Sequence, residues 1–302
     1  MIRTKSGAAA LSIASNSILI AIKLAAGAIT GSIAIITEAV HSLIDLVASV
    51  VAFVSVRKAD EPADAEHPYG HQKVESLAAA IEGMLILVGA GIIVYEATHR
   101  LAVGAEVDAL GIGIAVMGFS VVANLGVSAV LSRQARAHES AALEGDAAHL
   151  RTDALTSAGV LAGLALVELT GIVAFDSITA LVVAAAIVVA GLRILRRSSG
   201  VLVDEVLPDP EMDRIEAAIA AARTPEVAGY HKLRARRAGA RRHIDLHVQY
   251  RSGTSLERAH ELSHQMRAAI EATVPGAEVL IHAEPETSFH GPTGDTSPFR
   301  AG

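Results

Sequence analysis

Cysteine is absent from this sequence, which excludes a disulfide framework, a thiolate nucleophile and a Cys-ligated zinc finger. Any metal must therefore be held by histidine and carboxylate side chains. Tryptophan is absent too, and aromatic residues make up only 3% of the chain, so its 52% hydrophobic content comes from Ala, Val, Leu and Ile. The mean hydropathy of +0.45 is too high for an ordinary soluble domain. Nor is there an excess of positive charge. A formal net charge of −7 excludes a globally basic nucleic-acid binder, and no nucleic-acid partner is expected. A local basic group at Arg234, Arg236, Arg237, Arg241 and Arg242 reads either as a solvated hairpin turn or as a contact for anionic lipid headgroups.

What charge there is lies unevenly along the 302 residues: the apolar runs fill the first 200 and most Arg, Glu and His fill the remainder. A helix needs about 20 mostly apolar residues to cross a bilayer. Six stretches qualify, roughly 8–29, 33–56, 74–97, 108–131, 142–170 and 173–194. The opening MIRTKSG leads into an apolar stretch longer than a signal-peptide core and reads as a retained span. The connections around Gly31 and Gly171 are short, which makes spans one and two, and five and six, antiparallel neighbours. Small residues at helix-packing spacing, Gly111 and Gly113 with Gly118, and Gly159 with Gly163, suit close contact in lipid.

After Gly200 the period changes. Helices are predicted over 209–223 and 256–273 and strands over 227–236, 241–251 and 278–283. The order αββαβ suggests a ferredoxin-like α+β domain. The expected architecture is a six-span transmembrane domain (1–200), a cytoplasmic ferredoxin-like domain (201–285) and a tail (286–302) with the Pro, Gly, Ser and Thr content of a disordered segment. Arg3, Lys5, Arg57, Lys58, Lys73, Arg133, Arg136, Arg193, Arg196 and Arg197 cluster at one set of span ends, with essentially only Arg100 at the other. By the positive-inside rule both termini are cytoplasmic.

Two spans carry the pattern His-x-x-x-Asp: Glu38-Ala-Val-His41-Ser-Leu-Ile-Asp45 in the second and His149-Leu-Arg-Thr-Asp153 in the fifth. Residues i and i+4 share a helix face. If the two faces meet, two imidazoles and two carboxylates form a tetrahedral set that suits zinc. A charged group at the bilayer centre costs on the order of 2.5 to 3.5 kcal/mol on insertion scales, so four ionisable groups demand a compensating cation or protons. The alternative is a pair of structural His-Asp hydrogen bonds between helices; duplication at identical spacing favours the metal.

Between spans two and three, Asp64, His67 and His71 form either a second cation site or part of a solvated acidic loop. Gly70 permits a tight turn before the third helix. In the C-terminal region His282 and Glu284 share a strand face. His247 on a neighbouring strand and His260 on a helix can join them in a regulatory metal site; the alternative is a set of exposed histidines on a polar surface.

At these residues the sequence strongly resembles the cation diffusion facilitator family of zinc transporters. The resemblance runs from span one to His282 and is most specific in EAVHSLID (38–45), HPYGHQKVESLA (67–78) and GDAAHLRTDALTS (145–157). It implies a homodimer, six helices per subunit, a cytoplasmic ferredoxin-like domain and a transport ion bound by His41, Asp45, His149 and Asp153. Asp64, His67 and His71 match the family's loop site. His247, His260 and His282 fall where relatives place cytoplasmic ligands at the dimer contact, with Glu284 where Asp is expected. Relatives with Asp at the first transport position accept cadmium more widely, so His41 resembles the zinc-selective version. The chain lacks the long His-rich loop between spans four and five and so resembles bacterial members.

The expected function is divalent-cation efflux, Zn2+ leaving the cytoplasm in exchange for protons across a bacterial inner membrane. Zinc is the transported substrate and a regulatory ligand, and no organic cofactor is implied. Two other classes compete with this reading. An intramembrane metallohydrolase needs an open water position and a general base, and no HExxH-type motif lies within the six apolar stretches. A non-transporting membrane metal sensor would release no proton into the opposite compartment.

Overall fold

The computed structural model describes residues 4–30, 33–103, 111–172 and 174–287, with the side chains of 27, 30, 33–41, 44, 103, 111–113, 164 and 168 outside that description. The chain divides into two compact units, 1–200 and 201–302.

The first unit is built from six long helices: α1 (Lys5–Thr30), α2 (Ile33–Ala59), α3 (Lys73–Val103), α4 (Gly111–His138), α5 (Ala141–Thr170) and α6 (Ala174–Leu202). On the described residues α1, α3, α4, α5 and α6 are long and apolar enough to cross a membrane. α2 is 27 residues long, and its first nine side chains fall outside the description. The helices outrun the apolar stretches that announced them. α4 continues through His138, and the positive charge of Arg136 in its last turn suits a helix C-terminus. Hydropathy measures the hydrocarbon, whereas the helix carries on into water.

Ser140 opens α5 by accepting a hydrogen bond from the Leu143 N–H, and Gly171 closes it at φ 71°, its N–H donating to the Val167 carbonyl. The core of this unit is rich in alanine: Ala8 and Ala9 of α1, Ala52 of α2, Ala78 of α3 and Ala142 and Ala147 of α5 are buried together with Leu131, Leu143 and Leu150. Small side chains let helix backbones approach where no hydrophobic force acts between helices. Gly159 and Gly163 illustrate it, for a Cβ there would lie 2.6 Å from Val183 and 2.9 Å from Asp176 of α6. Gly118, by contrast, faces open space within 4 Å. Gly31, one residue of the predicted short connection, lies outside the described residues.

The second unit follows the predicted order: α7 (Asp209–Ala222), β1 (Val227–Ala238), β2 (Arg241–Tyr250), α8 (Leu256–Thr273) and β3 (Ala277–Pro285). The sheet order is β1-β2-β3, with β1 antiparallel and β3 parallel to β2. α7 contributes Met212, Ile215 and Ile219, and α8 contributes Leu262, Met266 and Ile270, to a core that also holds Ile244, Leu246 and Val248 of β2. Of the predicted tail, residues 288–302 lie outside the described residues.

Candidate metal centres

The first centre forms where α2 meets α5. Asp45 lies on α2, and His149 and Asp153 lie one turn apart on α5. One ligand atom from each lies within 4.8 Å of the others. His149 Nε2 is 3.1 Å from Asp45 Oδ1 and 3.9 Å from Asp153 Oδ2. Asp45 and His149 are each only 6% exposed. His41 is four residues before Asp45 on α2, and its side chain lies outside the described residues. Three of the four predicted positions thus converge.

These residues line a cavity of about 720 Å³ that extends to Glu96, Arg100 and Asp176. Glu96 and Arg100 are about half exposed and pair at 2.8 Å, which marks the mouth. Lys23 of α1 lines the same cavity beside Asp45 and donates to Ser42 Oγ at 2.8 Å. The opposite ends of the helices are tied shut. Lys5 pairs with Asp60 at 2.5 Å and Glu75 at 2.9 Å, and Ser140 donates to Glu75. Deeper in, Asn16 donates to Ser49, while Ser12 and Ser49 both donate to Asp146 Oδ1 at 3.1 Å, joining α1, α2 and α5. None of Lys5, Glu75, Asp146 or Ser140 lines the cavity.

The second centre is the loop between α2 and α3. Asp64, His67 and His71 again offer atoms within 4.8 Å. Asp64 lies 3.4 Å from His67 Nδ1 and 3.3 Å from His71 Nε2, and the two rings are 4.5 Å apart. Backbone N–H groups of His67 (2.7 Å) and Glu66 (3.0 Å) donate to Asp64 Oδ1, and chiefly the His67 bond holds the carboxyl below its ordinary range. The charge is therefore in place at neutral pH. Gly70 turns the chain at φ 83° before α3.

The third centre is on the sheet of the C-terminal unit. His231, His247 and His282 fall opposite one another on β1, β2 and β3. Glu284 Oε1 is 2.6 Å from His247 Nδ1 and 3.5 Å from His282 Nε2, and Glu284 Oε2 is 3.0 Å from His231 Nε2. Burial works to raise the Glu284 carboxyl, but the hydrogen bonds to His231 and His247 outweigh it and hold it below its usual range.

Two differences from the sequence reading stand out. His260 is not brought to this group within the chain. α8 buries Ala259, Leu262, Met266 and Ile270, which leaves His260 on the exposed side, with its ring 4.4 Å from that of His264. In its place stands His231, which the sequence did not single out. The hairpin pairs Ala238 with Arg241 and Arg234 with Asp245, a register that would set His231 opposite Val248. An irregularity between His231 and Arg234 shifts it by one, opposite His247. Such bulges flip a side chain to the other face, and no pattern in the residues announces this one. The basic cluster resolves into ion pairs: Arg242 and Arg237 reach Glu211 at 2.9 and 3.3 Å, Arg236 reaches Asp204 at 3.2 Å, and Arg234 reaches Asp245 at 3.7 Å.

A bundle of apolar helices with a buried His and carboxylate cluster on a deep cavity defines an integral, multi-pass membrane protein that handles metal cations. Residues 9–203 match the cation efflux transmembrane domain and residues 207–286 match the cytoplasmic domain of cation efflux proteins. The chain is 32% identical to a cation-efflux pump FieF of Klebsiella pneumoniae over 94% of both sequences. It is 36% identical to the FieF of Yersinia pestis over 92% of both, and 34% identical to an uncharacterized transporter of Synechocystis over 92% of this chain and 89% of that protein. A solved structure of the zinc form of CzrB, described as a putative zinc transporter, shares 34% identity across 29% of this chain and 99% of its own, with a TM-score of 0.27. The chain belongs to the cation diffusion facilitator family. It is a divalent-metal efflux transporter and not an enzyme.

Proposed function

We propose that this protein exports Zn2+ from the cytoplasm in exchange for protons, with Asp45, His149, Asp153 and His41 as the transport site. The observation that carries the reading is the convergence of the buried Asp45 and His149 with the half-buried Asp153 on the cavity wall. Two carboxylates neutralise a divalent ion, and two imidazoles complete the tetrahedral set that zinc accepts. Metal binds only neutral imidazole, so proton and metal compete for the same atoms. That competition couples the two fluxes when the site faces the two sides in turn.

The charge distribution supports six spans with both termini cytoplasmic in a bacterial plasma membrane. On that orientation the cavity opens outward at Arg100, and the Lys5, Asp60, Glu75 and Ser140 contacts close the cytoplasmic end. Residues 1–200 form the membrane domain and 201–285 a ferredoxin-like cytoplasmic domain through which two copies pair. Asp64, His67 and His71 load cations at the cytoplasmic surface. His231, His247, His282 and Glu284 hold a regulatory zinc ion, with His260 available to the dimer contact.

Zinc and proton fluxes through purified protein in proteoliposomes test the reading. In the double variant Asp45→Ala, Asp153→Ala, zinc flux drops to that of protein-free vesicles and proton counterflow ends; an unchanged flux overturns it.

A further inference from the structure

Two carboxyl groups outside the transport site have no exposed surface at all. Glu82 of α3 and Asp146 of α5 are both 0% exposed. Asp146 Oδ1 takes the hydrogen bonds from Ser12 and Ser49, whereas its Oδ2 has no hydrogen-bond partner among the described residues. Neither oxygen of Glu82 has one. Glu82 Oε2 rests against the α5 backbone, 2.6 Å from where a Cβ on Gly145 would stand, next to Asp146. The charged groups whose fields reach the pair are each other and His149 of α5. From α1 and α2 only the hydroxyls of Ser12 and Ser49 face Asp146, and no Lys or Arg approaches either carboxyl among the described residues.

A carboxylate without a protein donor and without a cation is far costlier to bury than a carboxylic acid. Two carboxyls side by side do not both stay ionised in such surroundings. Asp146 is three residues before His149, about 4.5 Å along the helix at a rise of about 1.5 Å per residue. Like Glu82, it is not among the residues that line the cavity.

We propose that Glu82, with Asp146 beside it, is a second proton-binding site, and that its proton locks the cytoplasmic end of the bundle shut. In the closed end the Glu82 carboxyl carries the proton. When that end opens, water reaches the carboxyl, its O–H bond breaks and the proton leaves to cytoplasmic water, so that Glu82 and Asp146 then present negative charge to an incoming cation. Closure takes one proton back. The proposal rests on the alternating-access part of the functional reading and not on zinc-proton exchange at His149.

Its test uses the full chain in lipid. Infrared difference spectra should show the carbonyl band of a protonated carboxylic acid in the metal-free wild type at neutral pH, and Glu82→Gln should remove it. Asp146→Asn should shift that band without removing it. The Asp45→Ala, Asp153→Ala variant should keep it, so failure of the transport site and failure of the lock are told apart. Because the chain has no cysteine, a single Ala78→Cys, buried one turn before Glu82, reports opening by its reaction with a water-soluble maleimide. The ratio of labelling rates in Ala78→Cys and in Ala78→Cys, Glu82→Gln should fall up to tenfold per unit drop in pH, since closure binds one proton. A ratio independent of pH, or a carboxylic-acid band unchanged in Glu82→Gln, overturns the proposal.

Discussion

Two of the three clusters of imidazoles and carboxylates sit in opposite surroundings. On α2 and α5, Asp45, His149 and Asp153 are gathered by helix periodicity onto the wall of a cavity within an apolar bundle. On the C-terminal sheet, His231, His247 and Glu284 are gathered by strand register and remain partly open, with side-chain exposures of 16%, 23% and 10%. The difference teaches what burial adds. In water, an empty His and Glu cluster is comfortable, so metal can come and go as a signal. Within a bilayer the same groups must be neutralised at every step, so the metal can leave only as something positive replaces it.

This contrast can be broken or sharpened by experiment, beginning where the effect is largest. His149→Ala should lower zinc flux in proteoliposomes by more than ~100-fold, beyond the 10–100-fold typical of losing a supporting contact to a metal ligand. A smaller loss would make the buried cluster no more demanding than the sheet cluster. Next, His231→Ala should weaken zinc binding by the C-terminal unit roughly 10–100-fold, read by calorimetry on protein whose transport site carries Asp45→Ala and Asp153→Ala. His260→Ala should leave that binding near wild type in the monomer; a larger loss from His260→Ala than from His231→Ala would mean that the site is completed by a second copy.

Acid provides a third comparison. The folded Glu284 carboxyl sits below its ordinary value of 4.5, so its ionised form stabilises the fold above 4.5. That contribution vanishes as pH falls through the lowered folded value. Denaturant unfolding of metal-free protein should therefore find Glu284→Gln less stable than wild type at neutral pH, with the two converging in stronger acid. The smallest effect belongs to a contact away from all three clusters. Tyr250→Phe removes the 2.8 Å hydrogen bond with Ser263 and should lower the stability of the C-terminal unit by about 1 kcal/mol, with zinc affinity unchanged.

Much of this was legible from residue order. Helix α8 runs over 256–273 as its periodicity predicts, because Ser255 caps it and its apolar positions recur at one face. The spacing of His149 and Asp153 places both on one side of α5 without any tertiary information. Illegible were features that depend on a second segment. The carboxyl of Glu82 reads in sequence as one polar residue in an apolar run, and only the close approach of α3 to Gly145 shows it enclosed without a partner.

The sequence by itself determined the class of the protein and the local pairing of ligands, since hydrophobic run length and helical or strand period are properties of neighbouring residues. Only the tertiary structure decided that α2 turns Asp45 toward His149, that a shifted register on β1 brings His231 in and leaves His260 out, and that Glu82 is sealed against α5. Each of these depends on how two distant segments pack, and packing is set by the shapes and volumes of many side chains at once.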